Sequence, residues 1–182
     1  MNRIKRPFDL IFSFVGISLF LPVGALIALI IKIEDGGPIF YIQERVGQGG
    51  RHFKMIKFRT MIRDADKIGS AITIGKDSRI TRVGRWLRSF KLDEFPQLFN
   101  VLKGEMSFVG PRPEVPKYVA LYNDTEREVL NLVPGITDPA SIIYRNENEI
   151  LGKFGDPEKH YVEKIMPDKI RINLEYAKKA NV

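Results

Sequence analysis

Residues 10–31 read LIFSFVGISLFLPVGALIALII, 22 positions without a charge. About 20 consecutive apolar residues is the length at which an α-helix crosses the hydrocarbon core of a bilayer. A signal peptide fits less well, because no small-x-small cleavage site follows; Lys32, Ile33, Glu34 and Asp35 come next. A soluble helix apolar on every side belongs in a protein much larger than 182 residues. Pro22 lies near the middle of the run. Proline lacks the N–H and clashes with the preceding turn, so a break is expected there, leaving two arms of roughly 18 Å each at 1.5 Å per residue. Neither arm is long enough to span, so a bent pair would enter and leave by one face. An ordinary kinked spanning helix is the competing reading. Arg3, Lys5 and Arg6 precede the run and Lys32 follows it. The preference of Lys and Arg for the cytoplasmic side would hold both ends there. Residues 1–35 are therefore read as the membrane-inserted unit. Residues 36–182, opening with the turn Gly36-Gly37-Pro38, are read as a second unit at the membrane surface.

Composition narrows the chemistry. With 44% hydrophobic and 28% charged residues, the chain has enough apolar side chains for one ordered domain. The absence of cysteine excludes disulfides, thiolate metal sites and a cysteine nucleophile. His52 and His160 are the only histidines, and neither belongs to a zinc-binding pattern. The net charge of +7 is unevenly placed: residues 45–91 hold thirteen Lys or Arg against three acids, whereas residues 92–182 hold twelve against fifteen. Such a local surplus suits a phosphate partner in nucleic acid, lipid headgroups or nucleotides, or else is a solvated basic face.

Ile39–Glu44 and Phe53–Thr60 are rich in aromatic and β-branched residues and flank Gly47-Gln48-Gly49-Gly50, which predicts a hairpin. The glycine cluster matches neither a dinucleotide-binding fingerprint nor a Walker loop. In residues 82–90, Val83, Trp86, Leu87 and Phe90 share one helical face, with Arg82, Arg85 and Arg88 elsewhere. A basic helix with Trp and Phe on its apolar side suits a membrane interface, and equally a core with arginines in water. Leu92 to Lys103 is expected to be one helix, with Pro96 in its first turn and Gly104 as its stop. Thr125 with Glu128 has capping-box spacing, Asp156-Pro157-Glu158 starts another helix, and Ile170, Leu174 and Ala177 continue an apolar stripe.

Four groups of residues could carry chemistry. Asp93 and Glu94 are adjacent, so on a helix their side chains diverge by about 100° and cannot share one contact, though both can line one pocket. One could attack phosphorus while the other holds a metal ion, or both could simply cap a helix. Arg112, between Pro111 and Pro113, sits on a stiff loop suited to clamping phosphate. Arg145 with Asn146 follows an expected turn at Pro134-Gly135-Ile136-Thr137. Lys5, Arg6 and Asp9 abut the apolar run, where an acid is costly unless paired, so an arginine of the second unit is the expected partner of Asp9.

Taken together, these stretches resemble the small monotopic polyprenyl-phosphate phosphoglycosyl transferases of the bacterial sugar transferase family. The match rests on KRPFD at 5–9, GPIFYIQERVG at 37–47, FKMIKFRTM at 53–61, RITRVGRWLRSFKLDEFPQLFNVLKGEMSFVGPRP at 79–113, VPGIT at 133–137 and YRNE at 144–147. The resemblance implies transfer of a phospho-sugar from a UDP-sugar to undecaprenyl phosphate, with Mg²⁺ and release of UMP. It implies Asp93 as nucleophile, through an aspartyl phospho-sugar, and Glu94 as the Mg²⁺-binding or pocket-shaping partner. Arg88 matches an arginine associated with the lipid phosphate. Arg112 and Arg145 match residues near the nucleotide-sugar, and Lys57 and Arg59 are expected among the substrate-binding residues. The implied fold is α/β: an N-terminal re-entrant helix hairpin broken at Pro22, a small β-hairpin sheet, and several helices, some lying along the membrane. The implied setting is the cytoplasmic face of the bacterial inner membrane, against membrane lipids and without nucleic acid; a homodimer is left open. The sequence departs from many relatives at Leu21-Pro22, where they carry Ser-Pro, and at Asp138-Pro139-Ala140-Ser141, which follows VPGIT.

The implied chemistry is physically coherent. An anionic carboxylate must attack an anionic diphosphate, so cations must neutralise the repulsion. A helix N-terminus would keep Asp93 ionised. Covalent catalysis splits a transfer between a soluble and a lipid substrate into two displacements at one site. Two other readings are a membrane-anchored nucleic-acid-binding module, which leaves Asp93-Glu94 without a role, and a non-catalytic scaffold in which Asp93 is replaceable.

Overall fold

The computed structural model describes residues 4–65, 68 and 77–180; Arg3 lies outside them. The apolar run forms α1, Lys5–Asp35, one helix that passes through Pro22 without interruption and ends on left-handed Gly36. The expected separation into two arms is therefore not what the chain adopts. Pro22 removes a single backbone donor, and packing along the rest of the helix outweighs that loss.

That packing follows one stripe. Asp9, Ser13, Ile27 and Ile31 are buried. Between them, Gly16 lies against Leu98 and Gly24 against Phe58, while Phe20 stacks on Phe95 at 3.6 Å between ring centroids. These seven positions recur every three or four residues, the period of one helical face. The rest of α1 is uncovered: Phe14, Leu19 and Leu21 are each at least 65% exposed. An apolar surface of that size on one side of a helix marks contact with lipid or protein.

Both ends of α1 are tied to the remainder of the chain. Arg6 donates to the Val101 and Leu102 carbonyls at 2.6 and 2.8 Å, and Asp9 accepts from Phe108 N–H at 3.2 Å. At the far end Asp35 pairs with Arg59, and Glu34 accepts from Val83 N–H. Asp9, predicted to need a partner beside the apolar run, thus has a backbone amide rather than an arginine.

The expected hairpin is present as β1, Phe40–Val46, antiparallel to β2, His52–Phe58, with Tyr41 opposite Lys57 and Gln43 opposite Met55. One sheet face buries Phe53 and Met55 with Val101 and Met106. The expected basic amphipathic helix is α2, Arg82–Ser89, capped by Thr81. Its apolar residues separate: Leu87 is buried with Ile27, Ile31 and Phe58, while Trp86 and Phe90 pair in the open at 51% and 63% exposure. The helix expected over 92–103 is divided into a 3₁₀ turn, Leu92–Glu94, and α3, Gln97–Lys103, stopped by left-handed Gly104 as predicted.

Two three-residue strands follow α3, β3 at Ser107–Val109 and β4 at Gly135–Thr137, paired in parallel. The expected turn at 134–137 is thus a strand. Between them lie two one-turn helices, α4 at Pro116–Val119 and α5 at Asp124–Arg127. The capping box belongs to Asn123 and Glu126, two positions before the predicted pair. Three more one-turn helices, α6 (Pro139–Ile143), α7 (Glu147–Leu151) and α8 (Pro157–His160), lead through a π-helical turn into α9, Met166–Ala180. Ile170 and Ala177 of α9 are buried as expected, and Ile170 joins the largest core cluster with Tyr118, Tyr161 and Leu151. The architecture is a mixture of helices and small sheets on one long apolar N-terminal helix.

Candidate active site

The acidic pair is placed by an abrupt reversal of the chain. Lys91 takes left-handed angles, φ 58° and ψ 21°, a conformation that non-glycine residues rarely adopt. The following turn sends Leu92 toward the α1 and α2 core and leaves Asp93 buried at 8% exposure. Phe95, one residue past Glu94, stacks on Phe20, so the acidic turn rests directly on the middle of α1.

The two carboxylates have opposite surroundings. Glu94 Oε1 accepts from Lys57 Nζ at 3.3 Å and from Arg112 Nη2 at 2.5 Å, while Oε2 has only a 3.5 Å contact with Arg112 Nη1. Burial would raise the Glu94 carboxyl, but the charges of Arg112 and Lys57 prevail and hold it at about 2. Asp93 Oδ1 is buried without a hydrogen-bond partner. Burial raises the Asp93 carboxyl above its ordinary range, against the opposing charge of Lys57. The expected help of a helix N-terminus is thus outweighed by desolvation, since Asp93 precedes α3 on a 3₁₀ turn. Burial, reinforced by the Arg112 charge, pushes Lys57 down to about 8.

Arg112 is held by a stiff frame. A Cβ on Gly110 would lie 2.2 Å from the Val133 carbonyl oxygen, and one on Gly135 2.2 Å from Gly110 N. Only glycine permits the two backbones to approach so closely. The prolines on either side of Arg112 then fix its loop against β4.

A cavity of about 820 Å³ opens over the acidic pair. Tyr41, Gln43, Arg45 and Lys57 line it from one face of the hairpin, Arg88 from α2, Arg112 from its proline-flanked loop, and exposed Arg145 from its rim. Of the expected phosphate ligands, Lys57, Arg88 and Arg112 therefore gather at Asp93-Glu94, with Arg145 farther out. Arg59 also borders the cavity, but its guanidinium is engaged by Asp35 and by the Pro38 carbonyl at 2.6 Å, and so clamps the end of α1. Lys5 and Arg6 are distant from the acidic pair, at the start of α1.

The sequence reading missed Thr60, whose hydroxyl accepts from Arg88 Nε at 2.9 Å. It also missed Lys169 of α9, which lines the cavity while bonded to Glu147 Oε2 at 2.7 Å. The departure at Asp138-Pro139 has a structural role: buried Asp138 caps α6 by accepting from Ser141 N–H at 3.0 Å.

Among the described residues no three His, Cys, Asp or Glu side chains gather into a metal cage. Mg²⁺ does not require one, since it usually takes one or two carboxylates and completes its octahedron with water and phosphate oxygens. Asp93, with its unpartnered Oδ1, and Glu94, whose Oε2 is weakly engaged, both line a cavity that also holds Lys57, Arg88 and Arg112, and fit that donor set.

A largely buried acidic pair among arginines, packed against a long apolar helix, suits an enzyme that handles phosphate at a membrane. The model of the family described as bacterial sugar transferase matches residues 1–182, and the chain belongs to that family of transferases. A Bacillus subtilis (strain 168) protein is 44% identical over 134 residues, which cover 74% of this chain and 71% of that one; its name provisionally assigns it undecaprenyl-phosphate N-acetylgalactosaminyl 1-phosphate transfer. The Aeromonas hydrophila UDP-N-acetylgalactosamine-undecaprenyl-phosphate N-acetylgalactosaminephosphotransferase is 40% identical over 147 residues, covering 78% of this chain and 34% of that protein. The Komagataeibacter xylinus undecaprenyl-phosphate glucose phosphotransferase is 43% identical over 145 residues, covering 76% and 27%.

Proposed function

We propose that this chain transfers a sugar 1-phosphate from a UDP-sugar to undecaprenyl phosphate at the cytoplasmic face of the bacterial inner membrane. In the first displacement an Asp93 oxygen attacks the β-phosphorus, the bond to the bridging oxygen breaks, and its electron pair leaves with UMP. In the second, an oxygen of the lipid phosphate attacks the same phosphorus and the Asp93 carboxylate departs, giving the diphosphate-linked sugar. The observation that carries this reading is that Asp93, whose buried Oδ1 has no hydrogen-bond partner, lines a cavity together with Lys57, Arg88 and Arg112. A desolvated carboxylate that spends no hydrogen bond on a neighbour is free to attack. Glu94, paired with Lys57 and Arg112, cannot serve in the same way and instead holds those two cations in place. Mg²⁺ bound at Asp93-Glu94 would supply charge neutralisation on the diphosphate.

In this reading residues 1–35 enter the membrane from one side only, and residues 36–182 form the catalytic unit. The support is that Arg6 and Asp35, about 44 Å apart along α1 at 1.5 Å per residue, are both bonded to the rest of the chain. The stack of Phe20 on Phe95 then sets the catalytic turn at the bilayer surface, where a long prenyl tail can remain in lipid while its phosphate reaches Asp93. The basic stretch 45–91 would face anionic headgroups.

The test is UMP release in nanodiscs with Mg²⁺, undecaprenyl phosphate and a panel of UDP-sugars including UDP-N-acetylgalactosamine and UDP-glucose. Release by the wild type that Asp93→Asn abolishes is expected. Undiminished release by Asp93→Asn would overturn the assignment.

A further inference from the structure

Among the described residues, the Arg88 side chain borders the cavity with a single hydrogen bond, from Nε to Thr60 Oγ1 at 2.9 Å. Its two terminal nitrogens are left for a ligand, whereas Arg112 and Lys57 are engaged with Glu94. Thr60 is itself unusually well fixed. It is buried at 7% exposure, and its carbonyl accepts from Thr81 N–H at 3.1 Å. α2 lies directly on its backbone, since a Cβ on Gly84 would fall 2.0 Å from the Thr60 oxygen. The preceding residue, Arg59, is anchored to Asp35 and to the Pro38 and Met61 carbonyls. Thr60 and α2 thus form one rigid unit attached to the end of the membrane helix.

We propose that Thr60 is a positioning residue: its hydroxyl fixes the guanidinium plane of Arg88 so that both terminal nitrogens meet one phosphate, that of the lipid acceptor. A guanidinium grips phosphate through two parallel hydrogen bonds, which requires its plane to be set in advance. An acceptor at Nε does this without using either terminal nitrogen. The lipid phosphate is favoured because Arg88 rides on α2, which packs against α1 through Leu87 and exposes Trp86 and Phe90 beside it. The inference rests on the transferase reading for the identity of that lipid.

The test uses the full chain in detergent and measures equilibrium binding of undecaprenyl phosphate alongside UMP-release kinetics. Thr60→Val keeps the shape and removes the acceptor; Thr60→Ser keeps the acceptor. Thr60→Val is expected to weaken lipid-phosphate binding about tenfold, the effect of one charge-assisted hydrogen bond, with KM for UDP-sugar unchanged. Thr60→Ser is expected to stay within about twofold of wild type. In an Arg88→Ala background, Thr60→Val is expected to have no further effect. Equal losses in the Val and Ser variants, parallel shifts for both substrates, or additivity with Arg88→Ala would overturn the proposal. Binding is read without turnover. Protein that binds the lipid through this pair yet releases no UMP would therefore remove the transferase reading and leave the positioning role standing.

Discussion

Replacing Arg112 with glutamine should expose how much of the site depends on its pairing with Glu94. In the folded chain Glu94 titrates at about 2, against 4.5 for a free glutamate. At about 1.4 kcal/mol per tenfold, that difference corresponds to about 3 kcal/mol of folding stability at pH 7. Breaking one side of a buried ion pair costs a similar amount, about 3–5 kcal/mol. Lys57 remains after the substitution and retains part of the effect, so a loss of about 2–3 kcal/mol is expected at pH 7. A depressed carboxylate stabilises the fold above its unfolded pKa, and that contribution fades as pH falls toward the folded value. The gap between wild type and Arg112→Gln should therefore narrow to about 1 kcal/mol by pH 3. Urea titration in detergent, followed by far-ultraviolet circular dichroism at both pH values, measures it. A gap below about 0.5 kcal/mol at pH 7, or one independent of pH, would refute the reasoning.

Three further outcomes are expected. Lys57 titrates at about 8 because burial and Arg112 disfavour its charge, so UMP release should fall as pH rises through 8, and Lys57→Arg should move that limb upward by more than one pH unit. The same lysine keeps its proton longer in the unfolded chain, so its contribution to stability should rise between about pH 8 and 10.5, as denaturation across that range would show. Gly135→Ala places a Cβ 2.2 Å from Gly110 N and should cost about 1–3 kcal/mol, lowering Tm by roughly 2–12 °C. An unchanged Tm would contradict the close approach of β3 and β4. Arg59→Gln leaves Asp35 without its guanidinium partner and should speed hydrogen exchange at residues 31–37. Unaltered exchange there would argue against the clamp.

The parts of this molecule legible in the sequence are those set by local rules. The hairpin follows from β-rich segments around a glycine cluster, α2 from helical spacing, and the stop at Gly104 from the freedom of glycine to turn left-handed. The acidic pair was visible as two adjacent carboxylates beside an arginine-rich helix, and Arg112 because prolines stiffen its loop. What escaped depends on distant contacts. Lys91 adopts left-handed angles that nothing in its neighbours announces, and this converts the first turn of an expected helix into a separate 3₁₀ turn. Strands of three residues, such as those at 107–109 and 135–137, are too short to show alternation. The resemblance groups Arg59 with the substrate-binding residues, but its guanidinium is engaged by Asp35, 24 positions earlier. Thr60 and Lys169 gain meaning only through Arg88 and Glu147. Pro22 on its own local rules breaks a helix, but the stripe from Asp9 to Ile31 packs along α1 and carries the helix through it.

The central step of the proposed reaction is the bond from Asp93 to phosphorus. Incubating the protein with its UDP-sugar and Mg²⁺ in the absence of undecaprenyl phosphate, then quenching and measuring intact mass, tests this directly. A mass increase equal to one sugar phosphate, located on the peptide containing Asp93, absent in Asp93→Asn and discharged by added undecaprenyl phosphate, is predicted. UMP formed only when the lipid is present, with no adduct at any time, would contradict the account.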